Sequence, residues 1–296
     1  MTVPFQIILH GGANQLVNEA ELRDRQCQSI LAKLVAYAES AQVSALDICE
    51  YAVRALEDDI AFNAGTGSYL QMDGNVRMDA SLMDSDLRLG AVMQIEKIRN
   101  PISVARALLE KPMHCTLAGG GANRFAAELG AEVSELKIEK QEKTYTTLLS
   151  EIEGNLSYKS LLVAKRMPPE SKLGTVGCVV RDKRSGLMAA GTSTGGLKVC
   201  YPGRVGDSGM VGAGNYANEY AAISCTGIGE KIMRISLARL VSFYVEEGLS
   251  LKAACDKAMA KLELIEGQAG LIAISHKGEL AYAYNTKTMS FAIHDG

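Results

Sequence analysis

The residues with the clearest chemical potential are Gly174 and Thr175, which open the apolar run Thr175-Val-Gly-Cys-Val-Val180 directly after a long charged stretch. Taken alone, a threonine there is an ordinary β-former at a strand start. Its other reading is as a nucleophile. Attack of the Thr175 hydroxyl on the Gly174 carbonyl would turn the peptide into an ester, and hydrolysis would leave Thr175 as a new N-terminus. Glycine at 174 permits strained backbone and leaves the carbonyl open to attack. The new α-amine would titrate near about 8, against about 10.4 for lysine, and can serve as the base for its own hydroxyl. Such a site needs no catalytic histidine, and the β-methyl holds χ1 in a narrow range.

Other chemistries fit less well. Gly191-Thr-Ser-Thr-Gly195 matches G-x-S-x-G, with Asp207 and His276 downstream in triad order. That motif requires a helix to begin directly after the serine. The stretch from Gly195 to Gly214 instead carries seven glycines and Pro202, and glycine costs about 1 and proline about 3 kcal/mol each in a helix. Gly212-Ala-Gly-Asn-Tyr-Ala217 resembles a phosphate turn but lacks the preceding long strand and the acid after it. The four histidines at 10, 114, 276 and 294 show no metal-ligand spacing. His10 reads as a hydrogen-bonded structural residue in a first loop. The seven cysteines form no C-x-x-C pair and read as reduced thiols, with Cys178 and Cys225 as small buried hydrophobes.

The elements that must position these residues follow from periodicity. Phe5–Leu9 reads as a strand closed by a tight loop at His10-Gly-Gly-Ala13, followed by helices near 18–40 and 45–58. Strand patterns at 76–83 and 91–95 precede helices near 101–110 and 123–129. Residues 131–172 differ in kind: 14 of these 42 positions are charged, with one glycine and Pro168-Pro169 near the end, which predicts a solvated connector. The 174–180 run should pair with 187–193 through a turn at 183–186. One long helix near 229–247, a shorter one near 251–262 and closing strands near 270–275, 279–284 and 289–293 complete the chain. Strands in hairpins and helices in pairs favour a layered α+β fold over a doubly wound one.

Composition narrows the function classes. With 31 basic and 34 acidic residues the charge is −3, which gives no electrostatic footprint for nucleic acid or an anionic membrane. Apolar residues at 47% and charged residues at 22% are ordinary globular usage. The 29 glycines, no tryptophan and 5% aromatics point to close backbone approaches rather than a stacking surface. No membrane span or signal peptide is visible, so a cytoplasmic location is expected. Length alone suggests about two domains.

Several segments jointly change that last inference: His10-Gly-Gly-Ala13, Leu56-Glu-Asp-Asp-Ile-Ala-Phe-Asn-Ala-Gly-Thr-Gly67, Met78-Asp-Ala-Ser-Leu-Met-Asp84, Gly174-Thr-Val-Gly177, Thr192-Ser-Thr-Gly-Gly196, Gly203-Arg-Val-Gly-Asp-Ser208 and Cys225-Thr-Gly-Ile-Gly-Glu230. In this order they resemble the plant-type L-asparaginase and isoaspartyl (β-aspartyl) peptidase branch of the N-terminal nucleophile hydrolases. The resemblance covers nearly the whole chain outside the connector. It implies a four-layer αββα sandwich in one domain, 1–296, cut into pieces 1–174 and 175–296, with 131–174 as the connector.

It further implies that Thr175 is the autocleavage and catalytic nucleophile, with Gly174 before the cut and Asn63, Thr194 and Thr226 beside it. The Thr226 hydroxyl and Gly227 N–H would hold the oxyanion, just ahead of the long helix. Arg204 would grip the substrate α-carboxylate, Asp207 the α-ammonium, and Gly227 and Gly229 would frame the pocket. Standing alone, Arg204 and Asp207 would be a solvated ion pair, Thr194 and Thr226 strand or cap residues, and Asn63 a turn residue. No catalytic cofactor is implied. A structural sodium ion is, held by main-chain oxygens of Leu56, Glu57, Asp59, Phe62, Ala64 and Thr66.

The implied substrates are L-asparagine and β-aspartyl dipeptides, and the implied assembly is a homodimer of cut protomers. Ile228, Gly209 and Leu197-Lys-Val-Cys-Tyr201, with Lys198 displaced, depart from the family pattern and bear on substrate preference. Alternative readings are a glycosylasparaginase of the same fold, or a cleavage-defective precursor acting as a binding protein.

Overall fold

The apolar run at Phe5–Leu9 does form a strand, but the chain does not turn after it. Strand β1 covers Phe5–Asn14 and pairs on past His10, so the expected loop is absent. Gly11 and Gly12 are instead a bulge in its ladder with the last strand, and Gly12 takes a positive φ of 99°. This computed structural model describes residues 3–14, 17, 19–40, 42–111, 113–152 and 174–296.

Helices α1 (Ala20–Ser40) and α2 (Ala45–Glu57) follow. Ser44 starts α2 with a reciprocal capping box to Asp47. Then come β2 (Met78–Asp84), β3 (Leu89–Ile95), α3 (Pro101–Leu109), β4 (Thr116–Ala118) and α4 (Gly119–Glu128). The charged connector is not wholly irregular: α5 covers Glu139–Ile152. Its docking explains why. Gln141 Nε2 donates to Gly67 O at 2.9 Å and Tyr145 Oη to Met72 O at 3.0 Å, while Lys143 and Glu139 pair one turn apart on the exposed side. The rest of the connector, including Pro168-Pro169, lies outside the described residues.

After the junction come β5 (Val176–Asp182) and β6 (Met188–Thr194), which pair antiparallel as the hairpin pattern predicts. They are followed by β7 (Asn215–Ala217) and β8 (Ala221–Gly227). The expected long helix is two helices, α6 (Gly229–Ile235) and α7 (Leu237–Glu246), broken at Ser236 in the left-handed region. Amides of Ala238 and Arg239 bond the carbonyls of Ala213 and Gly212, which takes donors that an unbroken helix would use internally. Helix α8 (Leu251–Glu263) and strands β9 (Ala269–Ser275), β10 (Leu280–Tyr284) and β11 (Thr288–His294) close the fold.

One sheet has seven strands in the order β11-β1-β5-β6-β2-β3-β4, and the other has four, β10-β9-β8-β7. All neighbours are antiparallel except β3 and β4. The large sheet therefore interleaves strands from before and after residue 174.

Period-two alternation sends neighbouring side chains into different layers. Ile7, Leu9, Cys178 and Val180 join the core under α1, α2 and α3, while Ile8 and Val179 face the second sheet. There they meet Ala222, Ile272 and Ile274, whose neighbours Ile223, Leu271 and Ala273 pack under α7 and α8. Three apolar cores separate four layers, the αββα sandwich that the resemblance implied. Strands buried on both faces also explain the nearly continuous apolar runs in the sequence.

Candidate active site

Thr175 precedes β5, so its backbone is fixed by a strand held on one side by β1 and on the other by β6. It is buried, and its Oγ1 donates to Thr194 Oγ1 at 3.2 Å. Thr194 ends β6 and donates in turn to Gly174 O, also at 3.2 Å, while accepting Gly196 N–H at 3.1 Å. Asn63 Nδ2 donates to the same Gly174 oxygen at 2.8 Å and to Gly196 O at 2.7 Å. Two neutral donors thus converge on the carbonyl that precedes the candidate nucleophile. Asn63 is itself oriented, because its Oδ1 accepts Tyr69 N–H at 3.0 Å. Lys198, 4.7 Å over the Tyr69 ring, lies behind this contact.

The bulge in β1 completes the enclosure. A Cβ on Gly12 would stand 2.9 Å from Thr175 O and 3.3 Å from the Gly174 Cα, so only glycine lets the strands approach this closely. The next residue, Ala13, donates its N–H to Thr226 Oγ1 at 3.2 Å, which brings fully buried Thr226 to the same corner from β8. Gly227, at φ +148°, presses against Gln268 O, where a Cβ would sit 2.4 Å away.

His10 is hydrogen-bonded as expected, although in a strand: its Nε2 meets Ser224 Oγ at 3.0 Å, and Ser224 meets Thr192 Oγ1 at 2.7 Å. Burial drives its pKa down to about 3, so the imidazole stays neutral.

Arg204 and Asp207 form a second cluster, on the loop between β6 and β7. A Cβ at Gly229 would lie 2.7 Å from Asp207 Oδ1 and 2.9 Å from Arg204 Nη2, so Gly229 frames this pair. Gly196 joins the two clusters, because a Cβ there would be 4.0 Å from Arg204 Nη1 while its backbone holds Thr194 and Asn63. Burial pushes the Asp207 carboxyl up to about 7, against the pull of Arg204, and Asp207 Oδ2 is buried with no hydrogen-bond partner among the described residues. An orphaned acid oxygen beside a guanidinium suits a ligand bearing both an ammonium and a carboxylate.

Sequence reasoning missed the groups that hold this loop. Asp79 accepts Gly206 N–H at 2.9 Å and Gln94 N–H at 2.8 Å, and Gln94 Nε2 donates to Arg204 O at 2.7 Å. Glu230 binds Arg204 through both carboxylate oxygens, at 2.9 Å each. Asp79 and Glu230 lie inside quoted motifs, which was the available signal; Gln94 had none. Ser193, the elbow candidate, donates instead to Glu57 at 2.6 Å, and His276 bonds Tyr220 O at 3.0 Å, so no serine triad forms among these residues.

The loop from Leu56 to Thr66 coils back on α2. A Cβ on Gly65 would stand 2.3 Å from Glu57 O, and one on Gly67 1.9 Å from Phe62 O. The Glu57 carboxylate points elsewhere, to Ser193, Ile102 N–H and Asn100, and Asp59 Oδ1 accepts Ala61 N–H. Main-chain oxygens rather than carboxylates are therefore what this loop has to offer a cation. Among the described residues no helix is long and apolar enough to cross a membrane.

Comparison with known proteins agrees with this geometry. A family model described as asparaginase matches residues 3–296. A probable isoaspartyl peptidase/L-asparaginase 2 of Arabidopsis thaliana is 40% identical, over 96% of this chain and 94% of that protein. The plant-type L-asparaginase of Pyrococcus abyssi is 39% identical over 97% and 95%, and the Homo sapiens isoaspartyl peptidase/L-asparaginase 39% over 98% and 92%. Matched almost end to end at this level, the chain belongs to the asparaginase family, in its plant-type L-asparaginase and isoaspartyl peptidase branch, and is a hydrolase of the N-terminal nucleophile fold.

Proposed function

We propose that this chain cuts itself between Gly174 and Thr175 and then hydrolyses the side-chain amide of L-asparagine and the isopeptide bond of β-aspartyl dipeptides. The observation that carries the reading is the Gly174 carbonyl, held by Asn63 and by Thr194, the same Thr194 hydroxyl to which Thr175 Oγ1 donates. In the cut, Thr175 Oγ1 bonds to the Gly174 carbon and negative charge collects on the oxygen those two donors face. The carbon–nitrogen bond then breaks, the nitrogen gains a proton, and water cleaves the ester to free the Gly174 carboxylate.

The released α-amine takes the hydroxyl proton of Thr175, which attacks the substrate's β-carbonyl. Thr226 Oγ1 and Gly227 N–H stabilise the oxyanion. Ammonia or an amino acid leaves with a proton, and water hydrolyses the β-aspartyl ester to L-aspartate. Arg204 binds the α-carboxylate and Asp207 the α-ammonium, in the pocket framed by Gly229. The family names of the relatives and the paired charges of this loop support that substrate class.

The chain acts as one domain in two pieces, two cut protomers associate, and no cofactor takes part. A structural sodium ion would be held by the carbonyls of Leu56, Glu57, Asp59, Phe62, Ala64 and Thr66, since neutral oxygen donors suit a hard monovalent cation. Mass spectrometry of the purified protein should show pieces of 174 and 122 residues (296 − 174 = 122). Thr175→Ala should stay whole and release no aspartate. A wild-type chain that stays intact yet hydrolyses these substrates at full rate would overturn the mechanism.

A further inference from the structure

Arg204 is held from two independent directions. Its backbone is pinned by Gln94 Nε2 on its carbonyl, with Gln94 at φ +53° and fixed in that conformation by Asp79. Its guanidinium is engaged by Glu230, from the first turn of α6, through Nε and Nη2. Those are the two donors of one edge. The Nη1/Nη2 edge has no carboxylate bonded to it among the described residues, and it is the edge beside Gly196 and Gly229, between the Thr175 cluster and Asp207. A planar guanidinium offers two such carboxylate-binding edges, so one acid can fix the plane while the other edge receives a ligand.

We infer that Glu230 is a positioning residue that sets substrate specificity: by clamping the Nε/Nη2 edge it aims the Nη1/Nη2 edge of Arg204 at the substrate's α-carboxylate. This rests on the proposed asparaginase and isoaspartyl peptidase activity and names the residue that makes it selective for an α-carboxylate. The arrangement fits the exposures, with the Arg204 side chain at 14% and Glu230 at 47%: the clamp stands outside and the working edge within. It also lets a half-exposed acid stand beside a carboxylate-binding arginine without obstructing binding, because the acid occupies the other edge.

Glu230 has a second measurable effect. Asp207 is faced by Arg204 from its own loop, Glu230 from α6, Asp79 from β2 and Cys225 from β8. Of these, the negative charge of Glu230 raises the proton affinity of Asp207, and it also offsets the charge of Arg204. Removing that charge should therefore let Asp207 ionise at lower pH.

The test is kinetics of Glu230→Gln and Glu230→Asp with L-asparagine and a β-aspartyl dipeptide, together with inhibition by L-aspartate and by β-alanine, which lacks the α-carboxylate. Expected for Glu230→Gln are normal self-cleavage, a KM raised tenfold or more, a kcat within threefold of wild type and an acid limb of kcat/KM moved to lower pH. L-aspartate should inhibit correspondingly less, and β-alanine should be unaffected. Glu230→Asp, with its charge but a shorter reach, should raise KM and leave the acid limb in place, so it carries the test if the amide variant fails to fold.

An unchanged or lowered KM would mean that Glu230 is idle or competes with substrate, and equal weakening of L-aspartate and β-alanine would reveal general damage; either overturns the inference. An inactive wild type would instead sink the proposed function itself.

Discussion

Thr194 stands at the point where three interactions meet, because its hydroxyl takes hydrogen bonds from Thr175 and from Gly196 N–H and gives one to Gly174 O. Replacing it with valine keeps the shape and deletes all three. Loss of one oxyanion donor costs on the order of 10²–10³-fold in comparable sites, so Thr194→Val should self-cleave at least about 10²-fold more slowly, read by gel densitometry over time. Asn63, the second donor, remains in that variant.

Asp207 sets a pH dependence. Burial raises its pKa to about 7, and it must be ionised to take an ammonium. Protonation of the Thr175 amine near about 8 lowers kcat/KM with unit slope, so loss of the Asp207 charge should steepen the fall below about 7, and a limb of unit slope from pH 8 to 5 would contradict this role. At this scale the residue types pointed to Gly174-Thr175, and the motif resemblance, not local chemistry, pointed to Arg204 and Asp207, which standing alone read as a solvated ion pair. It hid Gln94 and the side chain of Glu57, since the half-buried amide and the buried acid act through partners 45 to 136 positions away that no local pattern announces.

Glu57 fastens three elements. At the C-terminus of α2 it accepts Ile102 N–H in the first turn of α3 and Asn100 Nδ2 just before it, as well as Ser193 Oγ beside Thr194 on β6. Glu57→Ala would leave the Ser193 hydroxyl and the Ile102 N–H unpaired, each costing about 1–3 kcal/mol, while Asn100 Nδ2 keeps Asp58 Oδ1 at 3.2 Å. A drop in stability of at least about 2 kcal/mol is expected from urea unfolding of the uncut Thr175→Ala background.

Amphipathic helices were legible because one buried face imposes a period, and strands because burial on both faces leaves short continuous apolar runs. The departures share a cause in tertiary contacts. Loop carbonyls capture the amides that start α7, a docking surface orders the charged α5, and a bulge carries β1 through two glycines that locally read as a turn.

The whole molecule follows the layers more than the chain. Length alone suggested two domains, whereas three apolar cores run between four layers, and two of them draw residues from both sides of position 174. That organisation was legible only through the motif resemblance, because nothing local in a strand sequence states which distant strand it will neighbour.

The interleaved strand order has a thermodynamic consequence. In the large sheet, β1 lies between β11 and β5, and β6 lies against β2, so the pieces on either side of residue 174 alternate across the hydrogen-bond ladder. Cutting the chain would leave those ladders whole and remove only the tether, converting folding from a one-molecule to a two-molecule reaction whose yield depends on concentration. Denatured Thr175→Ala should refold with a rate and yield insensitive to dilution, whereas denatured processed protein should recover less as it is diluted. Processing of this kind is a one-way step, after which the native state is kept by never having come apart.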